Sequence, residues 1–271
     1  MLNDSFIERT GVQIFEGFPS IAEAMSYLAL RDVRVMEINL NNPYFLAQIS
    51  SEKDRKEIVN VVTGEGITWV AHLPESIGFF TVEEEVFARY LMWLVRIQTE
   101  ANDTGCRALT IHLGDAPYFA FSGQKRLGTD LFREYYETTL LMRLTRAANL
   151  LRKGPPVSIE NVGGFHHQFV RDILNKVEGL SYTMDIGHLK TVNPKTAEAE
   201  FGFFMEHRDE IRVVHVHDNA GDFDAHEVVT DQADIEPYFS FAKDTDAYLV
   251  MEIRPLEAAF SSLAALTGIK R

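Results

Sequence analysis

Cysteine is nearly absent. Cys106 stands alone in 271 residues, which excludes a disulfide framework within the chain, a Cys-rich zinc module and an iron–sulfur cluster, and fits the reducing cytoplasm that we expect as its compartment. Basic residues are outnumbered, 26 Lys plus Arg against 40 Asp plus Glu, for a formal charge of −14. So acidic a chain offers no broad cationic face to a phosphate backbone, whose neutralisation supplies most nucleic-acid affinity, and duplex DNA is disfavoured as a partner. A pocket made locally positive by bound metal ions is not excluded. No run approaches the roughly 18 uncharged apolar residues of a membrane span. The strongest apolar stretch, Val86 to Ile97, is interrupted by Arg89 and Arg96 and reads as an amphipathic helix. The N-terminus lacks a basic stretch followed by an apolar one, so we expect neither a signal peptide nor a membrane partner. No Gly-x-Gly-x-x-Gly follows the first strand pattern, where Glu16-Gly17-Phe18-Pro19 makes a plain turn; this removes the dinucleotide-binding form of an open sheet.

What is present is an ordinary globular composition, 46% hydrophobic and 24% charged, and a regular alternation of short β-type runs with longer helical patterns. Strands are predicted near Val12–Phe15, Val33–Asn39, Ile67–His72, Ala108–His112, Val157–Glu160, Ser181–Asp185, Arg212–His217 and Ala247–Glu252. Helical patterns fall at Ile21–Leu30, Glu52–Val62, Val82–Ala101, Leu131–Leu151, Phe169–Val177, Ala197–Arg208, Ile235–Ala242 and Leu256–Leu266. Thr81 and Glu84 have the spacing of a capping box for the third of these, and Pro155-Pro156 ends the fourth. Several strands are apolar on both faces, as in Trp69-Val70-Ala71 and Tyr248-Leu249-Val250-Met251, which a parallel sheet covered by helices requires. Eight such units in this length predict the α/β class, a single (β/α)₈ TIM barrel spanning 1–271 as one domain, with a doubly wound sheet as the rival. Gly114–Thr129 and Asp218–Ala233 read as irregular loops.

Barrel enzymes draw their sites from the C-terminal ends of the strands. Here those ends carry His72, His112, Glu160, Asp185 with His188 three residues on, His215 with His217, and Glu252; the loop after the seventh strand adds Asp224 and His226. Burying such groups without partners costs several kcal/mol each, roughly, so their convergence on one rim predicts a metal site. The mixed nitrogen and oxygen donors suit Zn²⁺ or Mn²⁺, whereas Ca²⁺ wants oxygen alone and Cu(I) sulfur. His166, His167 and His207 fall at helix ends and read as structural. The aromatic run Phe201-Gly202-Phe203-Phe204 is either the buried face of a barrel helix or a surface for a homo-oligomer.

The segments Ala71-His72, Ile111-His112-Leu113-Gly114, Ile159-Glu160-Asn161, Asp185-Ile186-Gly187-His188, Val214-His215-Val216-His217-Asp218-Asn219, Asp224-Ala225-His226 and Val250-Met251-Glu252 resemble, in this order, the xylose isomerase-like barrels. That superfamily includes endonuclease IV and many sugar-phosphate isomerases and epimerases. The resemblance implies a four-ligand metal site at Glu160, Asp185, His215 and Glu252. It further implies a second metal at His72 and His112 bridged by Glu160, and a third held by His188, Asp224 and His226, for one to three ions. The chain departs from the pattern where a Gly-Glu-Gly-like turn often follows the Asp-x-His motif and Val228-Val229-Thr230-Asp231-Gln232-Ala233 stands instead. Basic rim residues are limited to Lys125-Arg126 and Arg254.

Two activities follow from the resemblance. One is a sugar or sugar-phosphate isomerase or epimerase, with a metal-stabilised enediolate, Glu160 and Glu252 as the acid–base pair and His188 orienting the substrate. Arg254, His217 and Asn161 are then candidates for binding that small-molecule substrate. The alternative is a multinuclear-zinc phosphoester hydrolase of the endonuclease IV type (AP endonuclease family 2). The acidic composition and the missing turn favour the first.

Overall fold

The structure, a computed structural model, describes residues 4–76, 78–219 and 223–268. Strands form at Thr10–Ile14 (β1), Val35–Asn39 (β2), Thr68–His72 (β3), Leu109–Ile111 (β4), Tyr118–Phe121 (β5), Gln124–Leu127 (β6), Val157–Glu160 (β7), Ser181–Asp185 (β8), Ile211–Val216 (β9) and Tyr248–Met251 (β10). All of these except β5 and β6 close into one barrel in the order β1-β10-β9-β8-β7-β4-β3-β2. Every neighbouring pair in it is parallel. The chain is thus a (β/α)₈ TIM barrel, and each of the eight predicted strands lies within two residues of its expected bounds.

The helices between the strands are started and stopped by local chemistry. Asn42 accepts from the amides of Tyr44 and Phe45 to open Pro43–Ser50, where Pro43 has a preset φ and no amide to satisfy. Ser51 caps Glu52–Glu65, which ends on Gly66 in the left-handed region at φ 64°. Asn193 and Pro194 repeat the first device for Pro194–Glu206. The expected capping box at Thr81 does not form. The helix runs Glu84–Asn102 from Glu83 without a side-chain cap, because the buried Arg143 draws Glu84 into an ion pair at 3.1 Å while also donating to the carbonyls of Phe79 and Thr81. An ion pair with a charged, buried partner outweighs a neutral cap.

The main core lies between barrel and helices, around Trp69, Phe45, Phe87, Phe165 and Phe204. Phe203 and Phe204 are buried there, and Phe201 packs on Tyr238 and Phe241, so the aromatic run is the inner face of a barrel helix. A separate small cluster of Val70, Ala108, Val213 and Val250 packs apart from the main core. Side chains alternate along a strand, so residues two further on share the face of these four: His72, Thr110, His215 and Glu252. The apolar cluster is therefore the floor beneath the polar mouth. Thr110 and Thr183 bridge at 2.9 Å by their hydroxyls, buried between the two. The expected loop Gly114–Thr129 instead contains the antiparallel hairpin β5–β6, turned through Ser122 and Gly123 at φ 50° and 77°.

Candidate metal centre

Glu160 on β7, Asp185 on β8, His215 on β9 and Glu252 just past β10 converge because these strands are consecutive neighbours in the barrel, with Asp185 in register with His215. A ligand atom from each lies within 4.8 Å of the others. All four are at most 4% exposed. The Nδ1 of His215 stands 2.8 Å from Glu252 Oε2, 3.1 Å from Glu160 Oε1 and 3.6 Å from Asp185 Oδ2. One nitrogen has one proton and cannot serve three oxygens. The shortest of these contacts is not a hydrogen bond in its geometry, and Glu252 Oε2 has no other partner. Ligands at zinc's usual bond lengths of about 2.0–2.2 Å sit roughly 3.4 Å from one another, so this donor set has the spacing that a divalent cation demands. Its charge fits too. The side chain of Glu37 is also fully buried, 3.1 Å from His215; four carboxylates thus crowd around His215. Among the described residues the one arginine paired with these four carboxylates is Arg254, 3.5 Å from Glu252.

The other candidates flank this group. His72 and His112 both direct Nε2 at Glu160 Oε2, at 3.2 and 2.9 Å. His72 Nδ1 lies 3.0 Å from the Leu73 carbonyl and donates to it, so Nε2 is the nitrogen left to face Glu160. On the other side His188 and His226 both place Nε2 near Asp224 Oδ2, at 3.1 and 3.2 Å. His226 Nδ1 donates to the carbonyl of Glu252 at 2.9 Å. Its backbone sits at φ 50°, a conformation that is uncommon for residues other than glycine and concentrates at functional sites. His188 is presented by the helix Ile186–Thr191, whose N-cap is Asp185 itself, accepting from the His188 amide at 2.8 Å. The Nδ1 atoms of His188 and His217 are buried without hydrogen-bond partners.

Asn161 is buried, with its amide clamped on the main chain of Asp185 at 2.6 and 3.0 Å. His217, also buried, lies 3.0 Å from the Asp185 carboxylate and stacks on His226 at 4.3 Å. Arg254 is at the rim, its guanidinium on Gln13 Oε1 at 2.8 Å and 4.6 Å above the ring of Phe15. Lys125 and Arg126 belong to β6, where Lys125 lies over the ring of Tyr118. His166 pairs with the buried Glu200 at 2.8 Å, while His167 stands at the N-cap of the helix Gln168–Leu174 and His207 at the C-cap of Pro194–Glu206.

In the ion-free chain, the two kinds of group hold each other charged. Burial alone pushes the His72 imidazole down, but the hydrogen bond and charge of Glu160 raise it to about 9. His188 is likewise disfavoured by burial and raised to about 10 by Asp185 and Asp224. His226 rises to about 8 beside Asp224. The carboxyl groups of Glu160, Asp185 and Glu252 resist burial and are held well below the usual range by the neighbouring imidazoles.

Sequence reasoning missed Glu37 and Glu75. Glu75 groups with His72 and His112. Glu37 lies inside Val-Met-Glu-Ile-Asn of β2; a carboxylate in the middle of an apolar strand was the signal, and strand ends alone do not reveal it.

A closed parallel barrel whose C-terminal mouth concentrates buried imidazoles and carboxylates defines a (β/α)₈ barrel with a candidate metal centre. The family described as xylose isomerase-like TIM barrel matches residues 30–267, and the chain belongs to it. Among solved structures, a D-tagatose 3-epimerase-like protein superposes with a TM-score of 0.74 at 18% identity, covering 96% of each chain. Endonuclease IV from Thermus thermophilus gives 0.67 at 16% identity, covering 96% of this chain and all (100%) of the other. The TTHB071 protein of the same organism, soaked with ZnCl₂, gives 0.65 at 17% identity over 96% and 98%. At these identities the likeness is one of fold. No functionally curated protein matches the sequence. No helix among the described residues is long and apolar enough to cross a membrane.

Proposed function

We propose that the chain is a divalent-metal-dependent isomerase or epimerase of a small sugar or sugar phosphate. The observation that carries this reading is the pair of buried glutamates on either side of His215 Nδ1, Glu160 and Glu252, with Glu252 Oε2 lacking a hydrogen-bond partner. A Zn²⁺ or Mn²⁺ ion held by Glu160, Asp185, His215 and Glu252 supplies the polarisation of a substrate carbonyl that acidifies the C–H beside it. Glu252, with an oxygen free to accept, takes that proton; Glu160 returns one to the substrate, and His72 and His112 on its outer oxygen replenish it. His188 orients the substrate. Arg254, beside Glu252, meets a phosphate or carboxylate at the remote end. Asn161 and His217 reach the substrate through Asp185, which both hold. The epimerases among the structural neighbours and the acidic composition support a small substrate over duplex DNA.

Phosphoester hydrolysis is the second reading, favoured by one observation: two histidines on one oxygen of Glu160 and two on one oxygen of Asp224 offer donors for further cations. Solvent-deuterium incorporation into a panel of ketoses and aldoses, followed by NMR, separates the two. The isomerase reading expects incorporation that falls roughly 100- to 10,000-fold in Glu252→Gln. No incorporation, together with phosphoester turnover that disappears in His72→Ala and His226→Ala, replaces it with the hydrolase.

A further inference from the structure

A chain of polar side chains runs from the exposed Arg254 at the rim inward to His215. Arg254 Nη2 donates to Gln13 Oε1 at 2.8 Å, Gln13 Nε2 donates to Glu37 Oε1 at 2.7 Å, and Glu37 Oε2 lies 3.1 Å from His215 Nε2. Asn39 adds a 3.3 Å hydrogen bond to the same Gln13 oxygen. The barrel register sets the chain up, since Gln13 of β1 is the direct partner of Glu37 of β2. Gln13 is 4% exposed and Glu37 fully buried.

We propose that Glu37 is the positioning residue of the metal centre. It fixes His215 as the tautomer that carries its proton on Nε2 and turns the Nδ1 lone pair toward Glu160, Asp185 and Glu252; Gln13 ties this arrangement to the rim arginine.

The inference rests on the metal-site reading above, and its physical basis is separate. A carboxylate buried among neutral groups is costly unless a cation faces it. No arginine or lysine among the described residues forms an ion pair with Glu37; its one such partner is His215. A glutamine would fill the same space and hydrogen-bond to Gln13 and His215 without the buried charge. The charge is intelligible if the imidazole must stay an N–H donor on one side while its other nitrogen faces a cation. Imidazoles that hold metals usually donate their second N–H to such an outer partner, which sets the ring angle and raises its basicity. Gln13 then has a defined task. Its amide can give to Glu37 only while its oxygen accepts from Asn39 and Arg254, so the orientation of the amide, and with it the Glu37 carboxylate, is set by the cation at the rim. An anionic group seated on Arg254 would thus touch, two hydrogen bonds away, the residue that aims His215.

The test measures Zn²⁺ and Mn²⁺ binding by chelator competition in the full chain, for wild type, Glu37→Gln, Gln13→Leu and His215→Ala, with and without Glu37→Gln in the last background. Glu37→Gln is expected to weaken binding roughly 10- to 100-fold, the usual effect of removing an outer partner. Gln13→Leu is expected to weaken it less, and Glu37→Gln to have no further effect once His215 is alanine. Long-range ¹H–¹⁵N spectra of the zinc-loaded wild type are expected to report His215 protonated on Nε2. Wild-type affinity in Glu37→Gln, an equal loss in the His215→Ala background, or an Nδ1–H tautomer overturns the inference. Should Glu37→Gln not fold, Gln13→Leu and the tautomer decide. Absence of metal binding by the wild type instead overturns the metal-site reading.

Discussion

At the scale of single residues, Gly187 illustrates how closely the mouth is packed. A Cβ there would lie 2.0 Å from the ring of His217, so the imidazole is pressed against bare backbone. Gly187→Ala is expected to cost about 1–3 kcal/mol, read from the denaturant midpoint, and to displace His217 from Asp185. Cys106 makes the opposite case, a reactive group silenced by its surroundings. Burial pushes its thiol up to about 12. The folded value lies above the unfolded one, so the stabilisation is fully present at neutral pH and is lost as pH rises from the ordinary thiol value of about 8.5 through 12. A thiol reagent at pH 8 is expected to leave the native protein unlabelled and to label it stoichiometrically in denaturant; fast native labelling contradicts this. The ligand-type residues at strand ends were legible because a polar group is unexpected where an apolar strand stops. Glu37 was harder, since its partner His215 is distant in sequence and no local pattern links them.

At the scale of elements, patterns with a local cause were legible. The eight barrel strands were readable because each is a short apolar run between helical patterns; the caps at Asn193 and Ser51 are local hydrogen bonds too, but went unread in the sequence. The hairpin β5–β6 was missed although Ser122-Gly123 is a turn dipeptide between Tyr-Phe-Ala-Phe and Gln-Lys-Arg-Leu. The helix Pro43–Ser50 was missed although Asn-Pro announces it. The capping box failed for a reason no local reading contains: Arg143, far along the chain, competes for Glu84. That contact joins the helix Arg133–Leu151 to the segment after β3. Arg143→Leu leaves the carbonyls of Phe79 and Thr81 unpaired, and each is expected to cost about 1–3 kcal/mol, measured by thermal and denaturant unfolding. An unchanged midpoint would mean that Arg143 is a bystander. Ser51→Ala is expected to cost about 1 kcal/mol through loss of the Asp54 amide bond.

At the scale of the whole molecule, the barrel explains why residues from Gln13 to Arg254 meet at one mouth: closure brings β10 back beside β1, and the apolar cluster beneath leaves polar side chains to face one another above it. The formal charge of −14 is concentrated there in part, as Glu37, Glu160, Asp185 and Glu252, all buried. Buried negative charge at that density calls for a cation, and the central claim is that one binds. The direct measurement is elemental analysis of the chelator-stripped chain after Zn²⁺ or Mn²⁺ is restored and unbound ion removed, beside an Asp185→Asn, His215→Ala double variant. The account predicts at least one ion per chain in the wild type and loss of that ion in the variant. A wild type that retains no ion, or a variant that retains as many, contradicts it.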